Sequence, residues 1–339
     1  MRLFGAAVAL ALALVPGLTG CSPGTRKAVV VVYSPHGSDV LQDYEARFEA
    51  AYPDCDMQWL DMGAQEVYAR VRAEAGRPAC DVWWGAPSTM LSQAASEDLL
   101  EPFSPSWAAA VKPEYKDEHA RWHATFLSPL AILYNTQHYA ADAVPHTWDD
   151  LLKPEWKGKV SLRKPLASGT MRTFISAMIA RAQSEDAGVA WLAELHAGTK
   201  DYLENPNLLY DHIKRNPERV SVWIQPDIVM QRDRNGYPFG YHIPPETPVL
   251  TDGIALVKNA PHADWARKFI EFVTSEESLV HQAEAYAKMP ARDDIPRESL
   301  PEWMRAVSID AMPIDWEEFA AKEGAWCSRW EREVYGGGR

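Results

Sequence analysis

Ala28-Val29-Val30-Val31-Val32-Tyr33, running into Ser34-Pro35-His36-Gly37-Ser38, is the stretch that decides the fold. A continuous β-branched run without polar alternation is the signature of a strand buried on both faces, and such strands belong to parallel sheets covered by helices. Pro35 and Gly37 break the run, after which Leu41, Tyr44, Phe48 and Ala51 recur at helical spacing until Tyr52-Pro53 ends the pattern. The cycle then repeats as a strand over 55–61, a helix over 64–75, a strand over 80–84, the loop Gly85-Ala86-Pro87-Ser88-Thr89, and a helix over 89–96. Strands alternating with helices predict an open α/β lobe, whose ligands bind at the carboxyl ends of its strands. This places Ser34, His36, Ala86 and Ser88 on one rim.

A second unit of the same kind begins in the middle of the chain. Thr125 to Asn135, with Leu127, Leu130, Ile132 and Leu133, reads as a strand; Val160-Ser161-Leu162-Arg163 reads as another, broken by Lys164-Pro165. Ser168-Gly169-Thr170 then opens an apolar helix through Phe174, Ile175, Met178 and Ile179. Such a helix start leaves backbone N–H groups and the positive end of the dipole free, which suits an anionic or strongly polar ligand. A plain N-cap at Ser168 or Thr170 accounts for the same residues. Helices around 187–196 and 207–215 and the strand Val220-Ser221-Val222-Trp223-Ile224 follow, before a return from Tyr237 to Val257 and a helical tail.

Composition bounds the partners. The 339 residues are enough for two ordinary cores, and 47 acidic against 34 basic residues give a formal charge of −13, which excludes nucleic acid or an anionic membrane surface as a partner spread over the whole protein. Arg2, the small and apolar run Leu3 to Val15, and a small-residue region predict a secretion signal over 1–20. Leu18-Thr19-Gly20-Cys21 resembles a bacterial lipobox, so Cys21 is expected to carry a lipid, with 21–27 as the tether to a membrane. Export allows one disulfide among Cys55, Cys80 and Cys327; Cys55 and Cys80, both at strand starts, are the expected pair. No CxxC or His/Cys spacing points to a metal site.

Four ordered motifs carry a resemblance. Pro145-His146-Thr147-Trp148-Asp149-Asp150-Leu151-Leu152, Pro154-Glu155-Trp156-Lys157-Gly158-Lys159-Val160, the Ser168-Gly169-Thr170 turn, and the run from Thr247 to His262 look like the extracellular solute-binding proteins of ABC importers. The branch is the one with ferric-iron, thiamine, sugar-phosphate and aminoethylphosphonate binding proteins. The resemblance covers the mature chain and implies the two-lobed periplasmic-binding-protein fold of type II: two open sheets joined by two crossing segments, with the ligand cleft between the lobes. On this chain that puts lobe 1 at 28–125 plus 245–339, lobe 2 at 135–236, and the crossings at 125–135 and 237–243. It also implies a monomeric, non-enzymatic protein without a cofactor, held at the periplasmic or outer cell surface through Cys21, that hands a small solute to a permease driven by its ATPase; a sensor is another partner for the same fold.

Transferring the iron-binding pattern onto this chain fails at two places. His36 sits near the family's first-strand histidine, but the Ala86 region stands where an acidic ligand is expected, and Gln225-Pro226-Asp227 stands where paired tyrosines are expected. Ferric iron needs hard anionic oxygens, so iron ranks below an organic solute. For a phosphorylated or carboxylated solute, Arg163 and Lys164 supply charge beside Ser168, Gly169 and Thr170; read singly, each is also an ordinary solvated cation. A cationic aromatic such as thiamine would use Trp83, Trp84, Trp223 and Asp227 instead, where core packing is the competing role for the tryptophans. A secreted hydrolase is the alternative of another class, with Ser168, His36 and Asp227 as its conceivable triad, but the chain has no G-x-S-x-G, H-E-x-x-H or P-loop motif.

Overall fold

The structure, a computed structural model, describes residues 27–336. The signal sequence, Cys21 and most of the tether lie outside the described residues.

Strand β1 (Ala28–Ser34) leads into α1 (Ser38–Ala51), β2 (Cys55–Asp61), α2 (Ala64–Ala73), β3 (Val82–Pro87) and α3 (Ser88–Ser96), so the alternation read from the sequence is the observed one. β1 lies between β2 and β3 and is parallel to both. Its central place explains the unbroken apolar run: Val30 and Val32 pack with Leu41 and Phe48 on one face, while Tyr33 packs with Val67 and Leu91 on the other. Trp83 and Trp84 of β3 split in the same way, each fully buried, because successive strand residues point to opposite faces.

After the short β4 (Leu100–Glu101), the chain crosses on β5 (His123–Asn135). Beyond it come β6 (Val160–Arg163), α4 (Gly169–Ala180), α5 (Glu185–Gly198), β7 (Thr199–Leu203), α6 (Pro206–Arg215), β8 (Val220–Ile224), α7 (Gln225–Asn235) and β9 (Phe239–His242). The return strand β10 (Val249–Val257) is followed by α8 (Ala263–Val273), α9 (Glu276–Tyr286), β11 (Met289–Pro290), the single-turn α10 (Glu302–Arg305) and α11 (Trp316–Trp330).

The two sheets are not separated by a linker. The hydrogen-bonded order is β2-β1-β3-β10-β5-β8-β6-β7, and β5 serves both halves: His123 to Pro129 pairs with β10, and Leu130 to Asn135 pairs with β8 and β9. Thirteen residues at about 3.3 Å each are long enough to do so. Pro129, which has no N–H to give a ladder, marks the switch of partners. The crossing expected over 125–135 is thus a continuous strand.

Two sequence expectations are corrected. Residues 245–339 do not all join the first core: Met312, Phe319, Trp326, Trp330 and Val334 share the buried cluster of Phe174, Met178, Leu192 and Trp223. They do so because α11 lies along α4, with Cys327 Sγ 3.7 Å from Ser176 Oγ. Cys55 and Cys80 are free, as is Cys327. β2 and the start of β3 flank β1 on opposite sides, so the first two are two strand spacings apart, about 10 Å, where a disulfide spans under about 7 Å.

Candidate functional site

A cavity of about 620 Å³ lies between the two halves and is lined from both. Four helix starts meet there: Gly63-Ala64-Gln65 of α2, Ser88-Thr89-Met90 of α3, Ser168-Gly169-Thr170 of α4, and Ile224 with Asp227 of α7. Each follows the carboxyl end of a strand or the loop beyond it, as open α/β sheets require. First-turn N–H groups have no partner within their helix, and the helix dipole adds partial positive charge at that end. Four such starts direct partial positive charge into a cavity whose lining also carries the carboxylates of Asp227 and Glu323.

Arg163, at the end of β6, adds a full charge. One terminal nitrogen donates to the carbonyls of Glu204 at 2.9 Å and Ala167 at 3.4 Å, its guanidinium lies 5.6 Å from the Trp223 ring centre, and its buried Nε has no hydrogen-bond partner among the described residues. No carboxylate among the described residues forms an ion pair with it, and burial pulls its pKa below the usual arginine value. In the same half, and beside the same Trp223 ring, Asp227 accepts from Trp223 Nε1 at 3.0 Å and Tyr210 Oη at 3.2 Å. Burial raises the Asp227 pKa, although both donors oppose the shift. Its hydrogen bonds fix the Trp223 ring against the cavity.

The other sequence candidates divide. Ser88, Ser168, Gly169, Thr170, Arg163 and Asp227 line the cavity. Ser168 also caps α4 by accepting from Met171 N at 3.4 Å, so cap and rim are the same residue. Lys164 does not face the cavity; it pairs with the Glu204 side chain at the surface. Ala86 and Gln225 are fully buried and outside the lining, and neither end of the Gln225 amide has a partner among the described residues. Ser34 is buried as well, its hydroxyl accepting from His36 N at 3.2 Å.

His36 sits behind the rim and not on it. Its ring is packed edge-on against Trp84 at 4.6 Å, with Nε2 3.5 Å from Asp252 Oδ1. Gly85 is what lets it in: with φ at +101°, a Cβ there would lie 2.6 Å from His36 Nε2. Burial, reinforced by the Lys288 ammonium, lowers the His36 pKa to about 4. Burial does the same to His123, also to about 4. The unfolded chain therefore binds more protons than the folded one between pH 6.5 and about 4. Stability is complete above the unfolded value and is lost as pH falls through the folded one. The urea midpoint is expected to decline across that window; a flat profile would show that the two rings are solvated.

Trp316 and Glu323 of α11, Arg172 of α4, and Gly63 to Gln65 also line the cavity, though the sequence did not single them out. The rule that gave Ser34 and Ser88 applies equally to the segment after β2 and points to Gly63. For α11 no local signal exists, since its approach depends on packing against α4.

Among the described residues, no helix is long and apolar enough to cross a membrane, and no three His, Cys, Asp or Glu side chains are gathered for a metal ion. Residues 86–315 match the model of a family described as bacterial extracellular solute-binding protein. The chain is similar to a probable ABC transporter periplasmic-binding protein of Sinorhizobium fredii, 24% identical over 90% of this chain and 86% of the relative. It is also similar to a putative 2-aminoethylphosphonate-binding periplasmic protein of Salmonella typhimurium, 25% identical over 92% of this chain and 94% of the relative. Among solved structures, iron-bound HitA from Pseudomonas aeruginosa superposes with a TM-score of 0.76 at 18% identity, covering 91% of this chain and 99% of that one, a likeness that shows the fold. With the matched segment spanning more than half of the sequence, the chain belongs to the bacterial extracellular solute-binding protein family.

Proposed function

We propose that this protein captures a small anionic solute, phosphorylated or carboxylated, and delivers it to the permease of an ABC importer. The observation that carries the reading is the meeting of four helix starts and the carboxylate-free Arg163 on one cavity between the halves. Residues 28–125 with 245–311 act as one lobe, and 135–236 with the tail from Met312 as the other. Closure around the solute draws its energy from contacts made with both. The 2-aminoethylphosphonate named for the Salmonella relative carries an anionic phosphonate group together with an ammonium.

Export through the signal over 1–20, a lipid on Cys21 as anchor, and a monomeric state complete the proposal. The protein is a binder without turnover. Ser168 caps a helix and His36 is buried away from the cavity, which leaves the hydrolase triad without its geometry. Ferric iron and thiamine rank lower. No three His, Cys, Asp or Glu side chains are gathered among the described residues, and Trp83 and Trp84 are fully enclosed in the core.

A thermal-shift screen over sugar phosphates, phosphonates, carboxylates, thiamine, polyamines and ferric salts tests this. A ligand at a hundred times its Kd stabilises the native state by about 2.7 kcal/mol, so a true anionic solute raises the midpoint by several degrees. Stabilisation by ferric ion or thiamine alone would overturn the anion assignment, and turnover of a phosphoester abolished by Ser168→Ala would overturn the binder assignment.

A further inference from the structure

We propose that Trp316 sets the size of the solute: its indole shuts the cavity off from two grooves beside it, so that only a solute ending short of the indole is enclosed. The inference rests on the anionic reading of the cleft and adds a size limit and the residue that imposes it.

Trp316 lines three hollows at once. They are the solute cavity, a groove of about 410 Å³ beside Tyr115 and Ala311, and a groove of about 250 Å³ beside Ser92 and Ser96. No other described residue lines the cavity together with either groove. Both grooves begin where the cavity's own elements continue: Val249 of the first precedes Leu250 of the cavity on β10, and Ser92 of the second lies one helical turn beyond Ser88 and Thr89 on α3. What stands between, in both places, is the indole. Glu114 lines both grooves and is exposed, so both lead to solvent.

The wall is held from two sides. Just before it the chain leaves the first core at Ala311 and enters the second at Met312, and Thr247 pins that step. The Thr247 N–H donates to the Asp310 carbonyl at 2.9 Å, its carbonyl accepts from Met312 N at 2.8 Å, and its hydroxyl donates to the Leu130 carbonyl of β5 at 2.7 Å. Just after it, Phe319 packs edge-on against the indole at 5.3 Å and is buried with Trp326 in the core of the second half. α11 itself packs on α3 and on α4, one from each half. A ring fixed in this way does not swing aside for a longer solute without leaving its rotamer or displacing packed neighbours.

An apolar tail on the solute therefore has a defined course. With the charged head at Arg163 and the helix starts, the tail lies along the apolar part of the lining, Met90, Leu166, Leu250 and Trp316. Each methylene buried there tightens binding by roughly fourfold. The first one to meet the indole gains nothing and overpacks the site.

Isothermal titration of the full mature chain with methyl-, butyl- and octylphosphonate, one head group with three tail lengths, tests this. The wild type is expected to bind butylphosphonate more tightly than methylphosphonate, and octylphosphonate at least about tenfold more weakly than butylphosphonate. Trp316→Ala joins the cavity to the grooves and is expected to bring octylphosphonate to the affinity of butylphosphonate or beyond, with methylphosphonate changed by less than about twofold. Trp316→Phe keeps an aromatic wall and is expected to keep the limit, which separates loss of the wall from misfolding. Octylphosphonate bound tightly by the wild type, or refused equally by the wild type and Trp316→Ala, would overturn the wall and leave the anionic reading intact. Loss of methylphosphonate in Trp316→Ala would make the indole a solute contact and overturn the size limit. Silence of the wild type towards all three tails overturns this inference; silence towards every anion of the thermal-shift screen as well overturns the anionic reading.

Discussion

Arg163→Ala is expected to weaken binding of an anionic solute by about 1–3 kcal/mol, roughly 5- to 150-fold. The guanidinium is preorganised by the Glu204 and Ala167 carbonyls and by the Trp223 face, so little side-chain entropy remains to be lost on binding. Lys164→Ala is the control. Its ammonium is committed to the Glu204 carboxylate at the surface, and its removal is expected to leave affinity and stability essentially unchanged. Titration calorimetry on both variants with a solute found by the thermal screen decides the matter. Equal losses at the two positions would mean that the positive field is diffuse and that no direct pairing occurs at Arg163.

Trp84→Ala is expected to cost about 3–5 kcal/mol of folding stability. The indole is fully buried where the first lobe's elements converge, edge-on to His36 at 4.6 Å, Tyr44 at 5.2 Å and Phe269 at 5.8 Å. Deleting it empties a volume that strands on either side cannot collapse into. Urea denaturation should show the midpoint falling with the slope unchanged. A variant of near-normal stability with altered solute affinity would instead place Trp84 in the binding surface, as a cationic aromatic ligand would require.

The contrast between Arg163 and Lys164 shows how far local sequence goes. Adjacent cations at a strand end look equivalent on paper, yet strand alternation sends one to the cavity and the other to Glu204. The same alternation splits Trp83 from Trp84 and buries both. His36 was placed on the rim by its position after β1; the positive φ of Gly85 opens a pocket that takes the ring inward, and no rule of strand ends foresees that.

The α/β alternation, the two units and the rim at Ser88 and Ser168 to Thr170 follow from the sequence alone, because periodicity and helix-opening residues act over a few neighbours. Cys55 and Cys80 remain apart because β1 lies between their strands, which is a property of strand order and not of spacing along the chain. The placement of Glu323 and Trp316 at the cavity was decided only by tertiary structure: α11 docks on α4 through apolar contacts about 150 residues apart in the chain, and side chains brought together by such packing leave no local signature.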